Sequence, residues 1–338
     1  MFIPNRVIFE NDSFRYAKAI ELFDYFRSKG IEVVKLNSDR VQGIPGKDPG
    51  EKYAEGKRTL VIGVRKTLKF QTCKPSAHYQ LPLVTGCMGQ CEYCYLNTQL
   101  GDKPYVRTYV NVNEILGQAE KYIKERKEEI TIFEGAATSD PLPVEPYTKG
   151  LSQSIDFFAH QDNGRFRFVT KYINVEDFLD VEHGGHTSVR FSLNTDHVIR
   201  TYEHHTPSAQ KRIEAARKVI GKGYQTGFII APVFLDGDWE KEYGALLLML
   251  RENIPDTYFQ DISFEIISHR FTAKAKNRIL QVFPETALPM NEDERSFKYG
   301  QFGYGKYIYD KERISAMKDF FQSTIEKYFP GSNILYII

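Results

Sequence analysis

The sequence predicts a mixed α/β fold built from parallel βαβ units. From about residue 80, short apolar runs of strand length alternate with longer segments whose apolar residues recur at helical spacing. The 338 residues are enough for a buried core, and the 41% hydrophobic and 26% charged fractions are ordinary for a globular chain. The alternation alone leaves two architectures open, a partial barrel and a doubly wound sheet.

The N-terminal segment is predicted as strand, helix and strand. Residues 6–10 form a short apolar run, 14–27 carry apolar residues at helical spacing, and 31–36 resume as a strand after a glycine. The many glycines and prolines of 41–57 predict a linker or loop, which leads to a further strand at 60–64.

The alternating region and the C-terminal stretch supply the remaining elements. Strands are predicted at 81–85, 130–135, 166–171, 187–193, 226–235 and 261–268. Helices are predicted at 112–127, 147–160, 207–222, 238–252 and 273–283. A Gly/Tyr-rich hairpin is expected at 297–309, followed by a helix at 310–328.

Charge and hydropathy exclude some function classes. A net charge of +1 implies no general attraction to polyanions, so a nucleic-acid surface must be a local basic patch. No apolar stretch approaches the ~18 residues that span a bilayer. The N-terminal residues lack the apolar core of a secretory signal, and we expect a cytoplasmic protein.

The strongest functional signal is a cluster of three cysteines. Cys87, Cys91 and Cys94 have the spacing C-x3-C-x2-C on a loop that follows a predicted strand. A common 4Fe–4S electron carrier uses four thiolates, so three nearby thiolates leave one iron open to a ligand. Structural zinc is the alternative, with Cys73 or His78 as a fourth ligand. The spacing is unusual for zinc and favours the iron–sulfur cluster.

This motif resembles the signature of the radical S-adenosylmethionine (SAM) superfamily, in which an aromatic residue precedes the third cysteine. Tyr93 occupies that position. The resemblance implies a partial (β/α)6 TIM-like barrel with an N-terminal αβ extension and a C-terminal hairpin plus helix. It also implies two cofactors, a 4Fe–4S cluster and SAM, whose reductive cleavage gives a 5′-deoxyadenosyl radical.

Three further segments narrow the family. CMGQCEYCYL (87–96), EGAATSDP (134–141) and the C-terminal Tyr/Gly hairpin resemble the spore photoproduct lyase family over nearly the whole chain. The resemblance implies repair of UV-damaged double-stranded DNA in germinating spores, returning 5-thyminyl-5,6-dihydrothymine to two thymines. Flavodoxin or ferredoxin is the implied electron donor. The expected segments are an αβ extension and linker (1–79), the barrel (80–285), and a hairpin and helix packing on it (286–338).

The resemblance also assigns site residues. The three cysteines would hold the cluster, and Tyr93 and Tyr95 would return the radical to the cofactor, although buried packing is the alternative for Tyr95. Residues implied to hold SAM are Tyr93, Ser139, Lys171, Ser192, Asn194 and Ala231. Most of these lie at strand ends, where ligands of such barrels bind. Ordinary strand-end polarity is the alternative for each of them.

Ala137 departs from the family pattern. The family resembles EGACTSDP at this segment, and its cysteine would donate a hydrogen atom to the product thymine radical. Alanine has no S–H bond to donate. The departure therefore predicts a hydrogen-donor-deficient variant and favours an engineered change over natural divergence.

Basic and aromatic residues suggest where DNA would bind. Lys298, Tyr299, Tyr304 and Lys306 interleave charge and aromatic rings on the predicted hairpin. A second basic group near the linker consists of Lys57, Arg58, Arg65, Lys66 and Lys69. A solvated basic face is the alternative for both groups. The His residues at 183, 186, 204 and 205 fall in predicted turns and are expected to be loop residues rather than metal ligands.

Two rival functions remain open at this stage. A radical SAM enzyme acting on a peptide or small molecule would show no lesion-dependent DNA binding. A non-catalytic Fe–S or zinc DNA-binding protein would show no SAM cleavage on reduction.

Overall fold

The computed structural model describes residues 2–38, 40, 41, 43–74, 76–299 and 305–338. Its strands are, in chain order, β1 (Arg6–Phe9), β2 (Glu32–Lys35), β3 (Thr59–Gly63), β4 (Thr72–Cys73), β5 (Ala77–Gln80), β6 (Val84–Thr85), β7 (Gln90–Cys91), β8 (Val106–Tyr109), β9 (Thr131–Glu134), β10 (Gly164–Thr170), β11 (Thr187–Leu193), β12 (Glu203–His204), β13 (Gln225–Val233), β14 (Ile262–Ser268), β15 (Ser296–Tyr299), β16 (Gly305–Ile308) and β17 (Asn333–Ile337).

The α-helices are, in chain order, α1 (Ala17–Ser28), α2 (Pro49–Lys57), α3 (Leu96–Leu100), α4 (Val112–Glu125), α5 (Glu145–Thr148), α6 (Gly150–Ala159), α7 (Asp196–Tyr202), α8 (Ala209–Gly221), α9 (Trp239–Asn253), α10 (Ala273–Val282) and α11 (Lys311–Tyr328). No helix within the described residues combines the length and apolarity needed to cross a bilayer.

The chain divides into two compact units. Unit 1 comprises 1–90 and 100–189, and unit 2 comprises 91–99 and 190–338. A short piece that carries two of the three motif cysteines therefore groups with the C-terminal half. The three-segment division expected from the sequence stays a prediction.

Unit 1 contains a five-stranded sheet in the order β2-β1-β3-β8-β6. Its pairs are parallel apart from β6–β8, and its core includes the buried residues Ile8, Val41, Val61 and Tyr105. A second set of strands pairs β10 with β9 and β9 with β5 in parallel, while β4 joins β5 antiparallel. Alternate residues of β10 are buried, which is the period-2 pattern of a strand.

Unit 2 is built on the parallel pairs β13–β14 and β14–β17. Two of its longer helices begin at side-chain caps: the Ser208 side chain accepts the Lys211 N–H before α8, and Asp310 accepts the Arg313 N–H before α11. The antiparallel hairpin β15–β16 pairs Lys298 with Lys306.

Most predicted elements are present, but three of the predictions differ from the structure. The linker prediction for 41–57 is wrong over its second half, which forms α2. The strand predicted at 81–85 is replaced by β5 and the two-residue β6, and the helix predicted at 147–160 is divided into α5 and α6. Lys149 lies between those two helices with a φ of 54°, which breaks the helical path. Several elements were not predicted, among them β8, β17, α3 and α7.

Candidate active site

In unit 1, the cysteine motif begins beside the EGAATSDP turn. The Gly86 N–H donates to the Thr138 carbonyl at 2.9 Å, and Gly86 forms a parallel bridge with Ser139. Gly86 has a φ of +82°, and a Cβ there would lie 2.4 Å from the Tyr105 carbonyl oxygen, so a side chain is excluded on two grounds. The residue next to Cys87 is therefore fixed against the turn that carries Ala137 and Ser139.

Cys87 itself is half-buried and accepts backbone and side-chain donors. Its Sγ accepts the Gly89 N–H at 3.3 Å, and its carbonyl accepts the Lys57 ammonium at 2.9 Å. Lys57 is the last residue of α2 and is only 1% exposed. The expectation that Lys57 belongs to a phosphate-contacting surface is therefore wrong, because its charge is directed at the cysteine motif.

Asp140 ties the same turn to the end of β10. Its carboxylate accepts the Thr170 hydroxyl at 2.8 Å and the Lys171 backbone N–H at 2.8 Å. Burial raises the pKa of Asp140 to about 6, although these hydrogen bonds oppose the rise. Two residues expected to hold SAM, Ser139 and Lys171, are thus brought together through a buried acid that the sequence reasoning missed. The sequence signal that could have indicated Asp140 is its position directly after Ser139.

The Ser139 hydroxyl is the clearest mark of a binding site in unit 1. Its Oγ is buried and has no hydrogen-bond partner among the described protein groups. A buried hydroxyl without a partner costs free energy, so such groups usually face a ligand or water. Ser139 therefore fits a bound polar cofactor.

In unit 2, Glu92 anchors the loop that carries Cys91 and Cys94. The Glu92 backbone N–H donates to the Tyr202 carbonyl at 2.9 Å. Its buried carboxylate contacts His204 Nε2 at 2.7 Å and accepts the Thr286 hydroxyl. His204 was expected to be a loop residue, and its contact with Glu92 shows that it also helps to hold the cysteine loop.

Tyr93 is anchored to the same segment by a buried ion pair. Its hydroxyl donates to Glu203, and Glu203 pairs with Arg212 at 2.6 Å, with both side chains 0% exposed. Arg212 also donates to the carbonyls of Ser192 and Pro207, each at 2.9 Å. Enclosure of the phenol, and then the charge of Glu203, raise the pKa of Tyr93 well above its usual value.

The other predicted site residues of unit 2 differ in environment. Tyr95 is 59% exposed, so the alternative of buried packing is wrong for it. Asn194 is fully buried, its amide donating to the Pro232 carbonyl at 2.8 Å and accepting the Tyr243 hydroxyl at 3.0 Å. Ala231 precedes a cis proline on β13. The SAM-binding roles of these residues stay predictions.

The hairpin presents aromatic rings to solvent. Phe297 is 52% exposed and Tyr299 is 75% exposed, and their rings meet edge to face at 5.1 Å. Lys298 and Lys306 lie opposite each other across the two strands. Tyr304, also predicted to bind DNA, lies outside the described residues.

The donor set is compatible with an iron–sulfur cluster, since three cysteines lie within eight residues of one another. All four cysteines are described, and none forms a disulfide. Backbone N–H donation to a sulfur, as at Cys87, stabilises a thiolate ligand. His78, a possible fourth zinc ligand, uses its Nδ1 to accept the Ile132 N–H at 3.0 Å. Among the described residues, no group of three or more His, Cys, Asp or Glu side chains is gathered to hold a metal ion.

Comparisons with known proteins agree with these features. A family model described as spore photoproduct lyase matches residues 2–338. The spore photoproduct lyase of Clostridium acetobutylicum is 51% identical over 98% of each chain, and that of Bacillus subtilis is 46% identical over 99% of this chain and 98% of its own.

Solved structures give the same result. A spore photoproduct lyase complexed with dinucleoside spore photoproduct has a TM-score of 0.96 at 45% identity, covering 100% of this chain and 99% of that one. A mutant with bound AdoMet and the dinucleoside matches with the same TM-score, identity and coverage. The predicted family resemblance and the α/β fold of partial-barrel type are confirmed.

Proposed function

The chain belongs to the spore photoproduct lyase family, and from that premise we propose how its own residues repair UV-damaged DNA. It is a radical SAM lyase with a 4Fe–4S cluster and SAM as cofactors, and it returns spore photoproduct to two thymines. The observation that carries the proposal is the match over residues 2–338, together with the contact of Gly86 with the EGAATSDP turn.

The cysteines and the strand ends hold the cofactors. Cys87, Cys91 and Cys94 would hold the 4Fe–4S cluster, and three thiolates would leave one ligand position for SAM. The residues that would bind SAM are Tyr93, Ser139, Lys171, Ser192, Asn194 and Ala231. The buried Ser139 hydroxyl supports this assignment because it lacks a protein partner among the described residues. When bound and reduced, the cofactors supply the radical that removes a hydrogen atom from the lesion.

Ala137 occupies the position of the hydrogen donor. It is half-buried on the turn between Glu134 and Ser139, next to the cysteine motif. Its methyl C–H bond is too strong to quench a thymine radical, whereas a thiol S–H would do so. Without a thiol at position 137, Tyr95 and Tyr93 would have no thiyl radical to pass on. The chain thus begins the reaction and completes it poorly.

The partner is duplex DNA that contains the lesion. The reacting atoms are shielded in the base stack, so the lesion must be extruded, and a damaged step costs less to unstack than a sound one. Lys298 and Lys306 would contact phosphate, while Tyr299 and Tyr304 would stack on bases. The exposure of Tyr299 supports this placement. Flavodoxin or ferredoxin would supply the electron.

The test is reversion of Ala137. The parent chain and Ala137→Cys are reconstituted anaerobically with iron and sulfide, then reduced with dithionite together with SAM and an oligonucleotide containing the lesion. Both should hold about four irons per chain and cleave SAM. Ala137→Cys should give more thymine and fewer adducts, whereas Thr138→Cys, which places a thiol at the neighbouring position, should behave like the parent.

Two outcomes would contradict the proposal. Equal products at equal rates from the parent and Ala137→Cys would remove the donor role from position 137. Stoichiometric zinc, with no iron–sulfur absorbance after reconstitution, would overturn the cluster assignment.

A further inference from the structure

Lys57 is a buried cation that has no assigned role in the repair reaction. It ends α2, is 1% exposed, and places its ammonium 5.1 Å from the centre of the Tyr53 ring. The same ammonium donates to the Cys87 carbonyl at 2.9 Å. In the described part of the chain no carboxylate pairs with it. Other lysines of this region differ: Lys66, for example, is exposed and pairs with Asp12 at 2.7 Å.

A buried charge is costly unless an opposite charge offsets it. A carbonyl oxygen and an aromatic face carry only partial negative charge, so they compensate an ammonium incompletely. Lys57 is therefore placed where a nearby anion would lower the free energy of the folded chain. The direction of its hydrogen bond indicates that the anion belongs near Cys87.

The cluster predicted at Cys87 would be such an anion. Three thiolates carry more negative charge than the oxidised iron–sulfur core carries positive charge, and reduction adds one further negative charge. The carbonyl oxygen and Sγ of one residue are only four bonds apart, so the ammonium lies within about 8 Å of the Cys87 sulfur. At that separation, in a poorly solvated site, two charges interact appreciably.

We propose that Lys57 is the counter-charge of the cluster. By stabilising the reduced, more negative state, it raises the reduction potential of the cluster. This inference rests on the proposed function, because it requires a cluster at Cys87. Lys57 does not touch the reacting atoms and acts through the Cys87 peptide, so it is a positioning residue. Net charge, hydrogen bonds and burial are the factors by which proteins set cluster potentials.

The test is the midpoint potential of the reconstituted cluster, measured by a dye-mediated titration followed by electron paramagnetic resonance. Lys57→Met keeps an unbranched chain and removes the charge. We expect its one-electron equilibrium to shift about tenfold or more against reduction, which is about 59 mV lower per tenfold. Lys57→Arg retains the charge and should keep a potential near that of the parent. Lys66→Met removes an exposed, paired charge and should leave the potential unchanged.

A second measurement separates charge from packing. Without the cluster, Lys57→Met should unfold at a temperature equal to or above that of the parent, because an uncompensated buried charge is gone. Loading the cluster should then raise the unfolding temperature less in Lys57→Met than in the parent. A merely structural lysine would instead destabilise both forms equally when it is replaced.

The possible failures are distinguishable. A normal four-iron cluster with the same potential in Lys57→Met and the parent overturns the counter-charge and leaves the proposed function intact. A parent chain that takes up no iron and sulfide overturns both.

Discussion

The cysteine loop (91–99) and the hairpin (β15 and β16) belong to the same unit, yet they are held in opposite ways. The loop is fixed by buried charged contacts, among them the fully buried pair Glu203–Arg212, which receives the Tyr93 hydroxyl. The hairpin is attached through Phe271, whose backbone pairs with Tyr307 and whose ring stacks on it at 5.2 Å, while its outer rings face solvent.

This difference follows from what each region has to do. A site that positions reacting groups needs a geometry that does not relax, and buried, fully bonded ionic groups provide one. A surface that receives a base stack gains more from exposed rings that can adjust. The two regions should therefore respond differently to substitution, the anchors losing stability and the hairpin losing only binding.

The largest expected effect is at Arg212. The substitution Arg212→Met leaves the Glu203 carboxylate buried without its ion-pair partner. This should lower the free energy of unfolding by about 3–5 kcal/mol. The measurement is urea denaturation. The matched control is Lys124→Met, which breaks the exposed pair with Glu120 and should cost no more than about 1 kcal/mol. Equal losses in the two variants would show that the buried pair is not an anchor.

Asp140 is a buried anchor in unit 1, and it makes the stability of the folded chain depend on pH. Its folded-state pKa of about 6 lies above the usual 3.8, so the folded chain binds the extra proton. Stability from this group is therefore greatest below about pH 4 and falls as pH rises to about 6, by about 3 kcal/mol in all.

The Asp140 contribution is isolated by comparison with Asp140→Asn, which cannot titrate. The stability of the parent minus that of Asp140→Asn should grow as pH falls from 7 to about 4.5. Chemical denaturation at a series of pH values measures this difference. A difference that is flat across that range would mean that Asp140 does not keep a raised pKa.

The smallest change in stability is expected at the hairpin. Tyr299→Ala should weaken binding to a lesion duplex by about 1–3 kcal/mol through lost stacking, while changing stability by no more than about 0.5 kcal/mol. Lys298→Ala should reduce the slope of log affinity against log salt by about 1. Fluorescence anisotropy at several salt concentrations measures both. Unchanged affinity in both variants would remove the hairpin from the DNA-binding surface.

The sequence predicted most of the α/β alternation and the motif cysteines because these signals are local. The helix α2 was missed because its glycines and prolines resemble a linker. A capping signal was nevertheless present: Asp48 accepts the Glu51 N–H, and Pro49 occupies the first turn. That omission also concealed Lys57, since a lysine in a linker is expected to be solvated.

The anchoring contacts could not be predicted in the same way. His204 was predicted only as a loop residue, and Glu203 lies next to it. Their partners, Glu92 and Tyr93, lie more than a hundred positions away in the sequence. From the sequence, Arg212 is indistinguishable from the other polar residues of its helix, yet it is fully buried. Such pairs depend on how distant segments meet, which hydrophobic periodicity does not encode.

Gly86 has a consequence for attempts to redesign this protein. In a library that varies the cysteine motif to accept another substrate, no substitution of residue 86 should be tolerated. Even one methyl group there would clash with the Tyr105 backbone. Variation upstream of Cys87 would have to enter through Thr85, whose hydroxyl lies 3.1 Å from that of Tyr109. In a scan of all single substitutions, we expect position 86 to retain glycine alone, although it contributes no functional group of its own.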